Sequence, residues 1–315
     1  MQKEDIQSKI SSIKSEIAQK VVGQDNLVRD LLVVLFAHWH ILLEWAPGLA
    51  KTLAVSTLAK VVNLDFQRIQ FTPDLLPSDL TGAKIYNQEK KDFFVRKGPI
   101  FSNLILADEI NRAPSKVQSA LLEAMAEKQV TIWDETYILD EPFMVLATQN
   151  PLEQDGTYSL PEAQLDRFLL KTVVEYPSES EEIEIMKKFS VLDNIKINKV
   201  LTKAELSKMQ KEIEKVHVDD NIFYYVKDLI FCSRDNEEVQ QYLLYWASPR
   251  ASIGLIKTAK VLAFLSGRDF VIPEDIKEMA LPVLRHRIIL SYESVAEWVT
   301  PDDVIKIILD TVPTQ

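Results

Sequence analysis

The stretch HILLEWAPGLAKT, residues 40–52, decides the fold class of this chain. Residues 40–43 predict a strand, the Pro-Gly pair predicts a tight turn, and the residues from Lys51 onward predict a helix. A strand, a short loop and a helix in this order form a phosphate-binding loop, in which backbone N–H groups and the helix N-terminus hold phosphate oxygens. Lys51 is then expected to contact the β- and γ-phosphates, and Thr52 to ligate Mg²⁺.

The match to the loop pattern GxxxxGK[ST] is incomplete, because Trp45 and Ala50 stand at its two glycine positions. Taken alone, the stretch also fits a Pro-Gly turn before a surface helix. The rest of the chain has to decide between the two interpretations.

Helices and short apolar strands alternate on both sides of this loop. Strands are predicted at 40–43, 65–71, 104–107, 143–148 and 168–175, and helices at 24–37, 51–62 and 115–127. This alternation predicts an α/β fold with a parallel sheet covered by helices on both faces. In such sheets the binding site lies at the carboxyl ends of the strands.

Two insertions and a change of pattern predict the domain organisation. Extended segments around polar turns at 81–100 and 130–139 predict β-hairpins. After Pro177 the strands stop, and helices are predicted at 180–189, 204–215, 221–233, 249–265, 273–287 and 301–309. We therefore predict an α/β core at 1–185, carrying both hairpins, and an all-α domain at 186–315.

Composition limits the class of protein. A net charge of -11 disfavours a broad contact with nucleic acid or an anionic membrane, which both attract surplus Lys and Arg. The single cysteine cannot form an internal disulfide, which fits a reducing compartment. The first residues, MQKEDIQSKI, lack the apolar core of a signal peptide. The longest apolar run, 31–43, is shorter than the roughly 20 residues of a membrane span, so we expect a cytoplasmic protein.

A second predicted strand ends in two acids. NLILADEIN, residues 103–111, places Asp108 and Glu109 directly after four apolar residues. In nucleotide hydrolases this position supplies one carboxylate near the metal and one that polarises the attacking water. Two solvated acids at a strand end are the alternative. A phosphate loop and an acidic pair on separate strands of one sheet rarely coincide by chance, so we predict binding of ATP or GTP.

Three further residues could take part in phosphoryl transfer. Asn150 follows the predicted strand 143–148 and could orient a water molecule against the γ-phosphate. Arg167 in LPEAQLDRF and Arg250 in ASPRAS could neutralise charge that develops during the transfer. Taken alone, Asn150 also fits a strand-end turn, and either arginine would more often be a surface residue. The four histidines have no spacing typical of metal ligands.

Together these residues resemble the MoxR family of AAA+ ATPases. The motifs that carry the resemblance are VVGQ (21–24), PGLAKT (47–52), RIQFTPDLLPSDLTG (68–82), GPIFSNLILADEINRAPSKVQSALLEAM (98–125), ATQNPLEQDGTYSLPEAQLDRF (147–168) and ASPRAS (247–252). They cover nearly the whole chain, most densely from 20 to 177. The resemblance implies a five-stranded αβα core, a helical lid, and ATP with Mg²⁺ bound between them. The segment at 81–100 would be the helix-2 insert of this clade.

The resemblance also implies a role for each predicted site residue. Lys51 and Thr52 match the Walker A motif, with Pro47, Gly48, Leu49, Ala50 and Leu53 as further cofactor-binding positions. Asp108 and Glu109 match Walker B, with Thr52 and Asp108 near the metal, Asn150 as sensor 1, and Arg250 as sensor 2 for the ATP of its own chain. Val22 and Gly23 lie where the family packs adenine. Arg167 matches an arginine that reaches a neighbouring subunit's ATP, which implies a homo-oligomeric ring, usually a hexamer.

All five tryptophans stand where glycine is physically favoured, and where MoxR relatives tend to carry glycine. Trp39 lies at a predicted left-handed helix end, Trp133 at a hairpin tip, and Trp45, Trp246 and Trp298 at loop starts before helices. We hypothesise that the source organism reads the UGA codon as glycine, so that the natural loop is EGAPGLAKT. A diverged relative with genuine tryptophans is the alternative. The five codons decide between them, because a UGG codon excludes the hypothesis at its position.

The resemblance implies a Mg²⁺-dependent ATPase that drives chaperone-like remodelling or maturation of protein complexes, acting on a protein client. Family analogy adds a partner with a von Willebrand A domain. A nucleotide-gated scaffold without hydrolysis is an alternative if Trp45 is genuine. A DNA-associated AAA+ motor is a second alternative, disfavoured by the acidic net charge.

Overall fold

Five parallel strands form the central sheet in the computed structural model, which describes residues 3–45, 51–150, 156–190 and 195–314. They are β1 (Ile41–Trp45), β2 (Phe66–Gln70), β5 (Leu104–Asp108), β8 (Met144–Gln149) and β9 (Leu170–Val174). Their order across the sheet is β2-β5-β8-β1-β9. The parallel five-stranded core predicted from the sequence is confirmed, with strand ends within two residues of the predicted ones.

Helices cover both faces of this sheet because each has an apolar side. The helices of this part of the chain are α1 (Lys3–Ala18), α2 (Asp25–Phe36), α3 (Lys51–Val61), α4 (Pro77–Thr81), α5 (Ser115–Glu127) and α6 (Glu162–Leu165). Their buried residues fall into two hydrophobic clusters that the sheet separates. The central strands β5 and β8 are apolar on both sides over most of their length, and every residue of β5 is buried.

The two predicted hairpins are present. β3 (Gly82–Asn87) pairs antiparallel with β4 (Asp92–Lys97), and β6 (Gln129–Ile132) pairs antiparallel with β7 (Glu135–Ile138). Both hairpins expose large apolar side chains. Phe93 is 54% exposed and Ile138 is 79% exposed.

The second part of the chain is mainly helical, as predicted. Its helices are α7 (Glu179–Phe189), α8 (Lys203–Glu214), α9 (Asp220–Asp235), α10 (Glu237–Gln240), α11 (Pro249–Leu265), α12 (Pro273–Leu284), α13 (Tyr292–Ala296) and α14 (Pro301–Thr311). The expectation that strands stop after Pro177 was wrong in one place. β10 (Leu243–Tyr245) and β11 (Ile289–Leu290) form a short antiparallel pair that joins the segments preceding α11 and following α12.

Helix α1 was not predicted, and it connects the two parts of the chain. Ile6, Ile10, Ile13 and Ile17 recur at helical spacing and are all buried. Gln7 Nε2 donates to the carbonyl of Phe264 on α11, at 3.0 Å. A single hydrophobic cluster therefore runs from α1 through the core into the helical part. The domain boundary at 185/186 stays a prediction.

Two of the five tryptophans have the left-handed backbone that favours glycine. Trp133, at the tip of the β6–β7 hairpin, has φ 60°, and Trp298, before α14, has φ 64°. The expectation of a left-handed Trp39 was wrong, because His38 takes that conformation at φ 56°. Trp39 instead packs against the core, and its Nε1 donates to the carbonyl of Arg167 at 2.8 Å.

None of the helices formed by the described residues is both long enough and apolar enough to cross a bilayer.

Candidate functional site

The carboxyl ends of three neighbouring strands carry four of the predicted site residues. β1, β8 and β5 lie side by side in the sheet, and all run in the same direction. Lys51 begins the helix that follows β1, Asp108 ends β5 with Glu109 after it, and Asn150 follows β8. The structure brings these residues to one edge of the sheet, as the strand predictions require.

Asp108 is the centre of this site. Its carboxylate is 1% exposed and accepts charge-assisted hydrogen bonds on both oxygens. Lys51 Nζ lies 2.5 Å from Oδ1 and Arg68 Nη2 lies 2.6 Å from Oδ2. The Thr148 hydroxyl donates to Oδ1 at 2.7 Å. Burial by itself would raise the pKa of Asp108, but the bonds from Lys51, Thr148 and Arg68 outweigh it and lower this pKa, so the group is a carboxylate.

Glu109 is held in a strained backbone conformation beside Asp108. Its φ of 56° and ψ of 51° are left-handed, which is costly for a residue with a side chain. The Glu109 N–H donates to the Thr148 hydroxyl at 2.9 Å, which fixes the backbone. The side chain accepts from Gln70 Nε2 at 2.8 Å and lies 3.2 Å from Arg112 Nε. Strain of this kind, held by hydrogen bonds, is typical of functional positions.

Sequence reasoning gave no role to three residues that hold these acids in place. Arg68 and Gln70 lie two residues apart on β2. Gln70 is the residue that pairs with Asp108 on the neighbouring strand β5. Thr148 is the last residue of the predicted strand 143–148. The period-two polar pattern on β2 could have revealed Arg68 and Gln70, provided that the pairing of β2 with β5 was known.

Val22 and Gly23 lie at the same edge of the sheet, beside the carboxyl end of β9. Gly23 lines a cleft of about 800 Å³ whose other walls come from α2, the β9 end, α7, α12 and α14. The neighbouring Gln24 donates from Nε2 to the carbonyl of Glu175 at 3.3 Å. Gly23 has φ 68°, and a Cβ there would come within 2.5 Å of the Glu181 carboxyl carbon. The positive φ favours glycine at this position.

The loop between β1 and α3 completes the predicted site. Pro47, Gly48, Leu49 and Ala50 lie outside the described residues, as does the side chain of Trp45. Lys51, Thr52 and Leu53 form the first turn of α3 and are half-buried. Unpaired N–H groups of that first turn are suited to an anion.

The residues present suit a nucleotide with Mg²⁺ more than a resident metal. Within the described residues, no group of three or more His, Cys, Asp or Glu side chains could hold a metal ion by itself. The hard oxygen donors that Mg²⁺ prefers are available from Asp108 and Thr52, and a bound triphosphate would supply others. The ionised state of Asp108 fits this role.

Arg167 and Arg250 lie together at the opposite edge of the sheet. Arg167 precedes β9, and the nearby Leu169 N–H donates to the carbonyl of His40, just before β1. Arg250 Nη1 lies 3.2 Å from the carboxylate of Asp166. Both arginines line a basic pocket of about 410 Å³, which we define by His38, Lys128, Arg167, Arg250 and Lys257.

This position differs from the one expected for Arg250. Lys51 follows the carboxyl end of β1, whereas Asp166 and its partner Arg250 lie before the start of β9. The two edges are separated by the length of a five-residue strand, about 16 Å. Arg250 therefore does not face the phosphate loop of its own chain in this structure. The buried Arg287 fixes Asp166, and with it Arg250, at this edge. Its Nε lies 2.8 Å from the Asp166 carboxylate.

Comparisons with known proteins agree with this architecture. Residues 40–170 match the family model described as ATPase family associated with various cellular activities (AAA), and residues 236–308 match the AAA lid domain. A solved structure of a candidate ATPase from Cytophaga hutchinsonii superposes with a TM-score of 0.94 at 50% identity, covering 99% of this chain and 97% of that one.

Two curated relatives extend the likeness over the whole chain. Chaperone MoxR1 of Mycobacterium tuberculosis is 46% identical over 94% of this chain and 80% of that protein. Protein MoxR of Methylorubrum extorquens is 29% identical over 95% of this chain and 93% of that protein. With the AAA core and lid both matched, the chain belongs to the MoxR family of AAA+ ATPases.

Proposed function

We propose that this protein hydrolyses ATP with Mg²⁺ and uses the energy to remodel or mature protein complexes, working as a ring of identical subunits. The observation that carries the proposal is the cluster of Lys51, Asp108 and Glu109 at one sheet edge. Membership of an ATPase family supports it, as does a relative that is named a chaperone.

The residues of the core would divide the work as follows. Lys51 and the loop at 47–50 would hold the phosphates, and Val22 and Gly23 would contact the adenine. Thr52 and Asp108 would hold Mg²⁺, which supplies charge neutralisation at the β- and γ-phosphates when bound. Lys51 now pairs with Asp108 at 2.5 Å, so it would turn toward the phosphates on binding.

Glu109 would orient and deprotonate the water that attacks the γ-phosphate. In this structure Gln70 and Arg112 contact the Glu109 carboxylate. A shift or loss of these contacts would determine how close the carboxylate comes to that water. Asn150, on the adjacent strand end, would hold the same water or the γ-phosphate. These are positioning tasks of the kind that dominate phosphoryl transfer.

The two arginines would act on a neighbouring subunit's nucleotide. Both lie in the basic pocket, on the edge opposite to their own chain's Lys51. We therefore assign Arg250, together with Arg167, to the active site of the next subunit. Such head-to-tail contact closes into a ring, and a hexamer is the size that the resemblance implies. The client and a partner with a von Willebrand A domain are parts of the same proposal.

ATP turnover by wild-type protein and by Glu109→Gln tests this function. We expect the variant to bind ATP as well as wild type and to lose at least 100-fold in turnover, because only the general base is removed. Glu123→Gln, on the exposed side of α5, is the matched control and should keep wild-type turnover.

Two outcomes would contradict the proposal. Equal turnover in wild type and Glu109→Gln would show that Glu109 has no catalytic role. ATP binding by wild type without turnover would instead indicate a nucleotide-gated scaffold.

A further inference from the structure

Helix α7 presents an apolar face that nothing in the described structure covers. None of its eleven residues is buried. At about 100° per residue, Glu179, Glu182, Ile183, Met186 and Phe189 share one side, which we call the α7 outer face. Ile183, Met186 and Phe189 are 47%, 58% and 44% exposed.

The opposite side of α7 is tied to its own subunit, which directs the outer face to solvent. Glu181 lies against Gly23 at the predicted adenine position. Lys188 Nζ donates to the carbonyl of Ala18, at the end of α1, at 2.7 Å. The helix is thus fixed beside the cleft that Gly23 lines, which we call the nucleotide cleft, while its apolar side remains exposed.

The helical lid carries an apolar groove. The lid groove lies between α9 and α11 and has a volume of about 670 Å³. Phe223, Phe231 and Ile253 form its exposed walls and are 49%, 47% and 51% exposed. Large exposed apolar surface of this kind marks an interaction site, and an apolar groove suits the apolar face of an amphipathic helix.

The charges of the two surfaces are complementary. The lid groove is bordered by Lys227, Arg234, Lys257 and Lys260, which outnumber the acid Glu214 in its lining. The Arg234 guanidinium stacks on the Phe231 ring at 5.2 Å, and Lys260 Nζ donates to the carbonyl of Glu214. The α7 outer face brings the acids Glu179 and Glu182 beside its apolar residues.

The two surfaces cannot meet within one chain as it is folded. α7 follows the carboxyl end of β9, at the edge that carries the nucleotide cleft. The lid groove shares His38 and Lys257 with the basic pocket at the opposite edge. A second copy placed head to tail would bring its nucleotide edge, and α7 with it, against this groove.

We infer that the α7 outer face of one subunit docks in the lid groove of the next subunit. This inference rests on the ring of the proposed function and names the contact that would hold the ring together. Because α7 also touches the residue at the adenine position, the same contact places one subunit's lid next to its neighbour's nucleotide cleft.

Cross-linking between two differently substituted chains tests the contact directly. Both chains carry Cys232→Ser, which removes the single native cysteine. One adds Met186→Cys and the other adds Ile253→Cys. With ATP, Mg²⁺ and a short bis-maleimide, we expect a two-chain product in the mixture that neither chain forms alone. Met186→Cys mixed with Tyr292→Cys, an 83% exposed lid position outside the groove, should give none.

Particle mass in the presence of ATP and Mg²⁺ separates failure of this contact from failure of the ring. We expect wild type and the control Val295→Asp, at a 59% exposed position on α13, to form rings. Met186→Asp should shift assembly to at least tenfold higher protein concentration with an unchanged unfolding midpoint. A wild type that stays monomeric would overturn both the ring and the contact. Wild-type rings with no cross-link, and with normal assembly of Met186→Asp, would overturn the contact alone.

Discussion

Two tryptophans hold a backbone conformation that their side chains oppose. Trp298 has φ 64° and is 91% exposed, so little packing offsets the left-handed strain of about 1–2 kcal/mol. We expect Trp298→Gly to raise the free energy of unfolding by about 1 kcal/mol in urea titrations. Trp133→Gly, at φ 60° and 75% exposure, should do the same.

Trp246→Gly is the control for this prediction. Trp246 is 53% exposed but is not among the described residues with positive φ, so glycine there should bring no gain. Equal effects at Trp246 and Trp298 would contradict the strain argument. The UGA hypothesis stays a prediction for the codons to test, and the backbone supports it at Trp133 and Trp298 more than at Trp39.

The buried His40 makes stability depend on pH. Its Nδ1 accepts from the Val145 N–H at 3.0 Å, so Nε2 carries the proton and donates to the Met125 carbonyl. Burial lowers the pKa of His40 to about 4. Between about pH 6.5 and 4 the unfolded chain binds the extra proton, so stability falls as pH falls.

The expected loss from His40 between pH 7.5 and 5 is about 2 kcal/mol. His286, whose pKa burial also lowers, should add to the decline. Urea titrations at both pH values should show a decline that is about 2 kcal/mol smaller in His40→Gln. The same decline in the variant would show that His40 titrates normally.

At the scale of elements, the helices and strands that could be predicted are those with a clear pattern in their own residues. The five strands and both hairpins were predictable because each is a continuous apolar or alternating run between turn residues. β10 and β11 were not, because two- and three-residue strands are defined by their partner rather than by their own sequence. Helix α1 was missed although Ile6, Ile10, Ile13 and Ile17 have helical spacing.

The site residues also divide into those whose position a local pattern predicts and those whose position depends on distant contacts. The placement of Lys51, Asp108, Glu109 and Asn150 at one edge was predictable, since each lies at or after the carboxyl end of a predicted strand and parallel strands share an edge. Arg250 was expected near its own chain's phosphate loop because nothing in ASPRAS specifies which edge of the core it contacts. That contact is fixed by Asp166, 84 residues away.

Asp166 connects the core to the lid through buried charge. It accepts from Arg287 Nε at 2.8 Å and from the Ser248 hydroxyl at 3.1 Å. The Arg287 side chain is only 2% exposed. Removal of one partner leaves such a charge buried and uncompensated, so we expect Asp166→Asn to lower the free energy of unfolding by about 3 kcal/mol.

Urea titration checks the loss expected for Asp166→Asn. The comparison is Glu212→Gln, which breaks the exposed pair with Lys215 and should lower the free energy of unfolding far less than Asp166→Asn. Similar costs for the two variants would mean that the Asp166 network does not couple core and lid.

At the scale of the whole molecule, the two halves of the proposed active site lie at opposite edges of the sheet. Glu109 is at the carboxyl edge, and Arg167 is at the other. If a neighbour completes each site, Glu109→Gln and Arg167→Ala should each abolish turnover. Glu109→Gln abolishes turnover at the site of the subunit that carries it. Arg167→Ala abolishes turnover at the site of the adjoining subunit.

Mixing these two inactive variants should therefore restore activity. An Arg167→Ala subunit keeps its Glu109, and a Glu109→Gln neighbour supplies an intact Arg167. In randomly mixed head-to-tail rings, roughly a quarter of the sites combine both, so we expect up to about a quarter of wild-type turnover. Pre-assembled rings that cannot exchange subunits provide the control. A mixture no more active than its components would show that Arg167 serves its own chain or none, because complementation requires a site shared between two subunits.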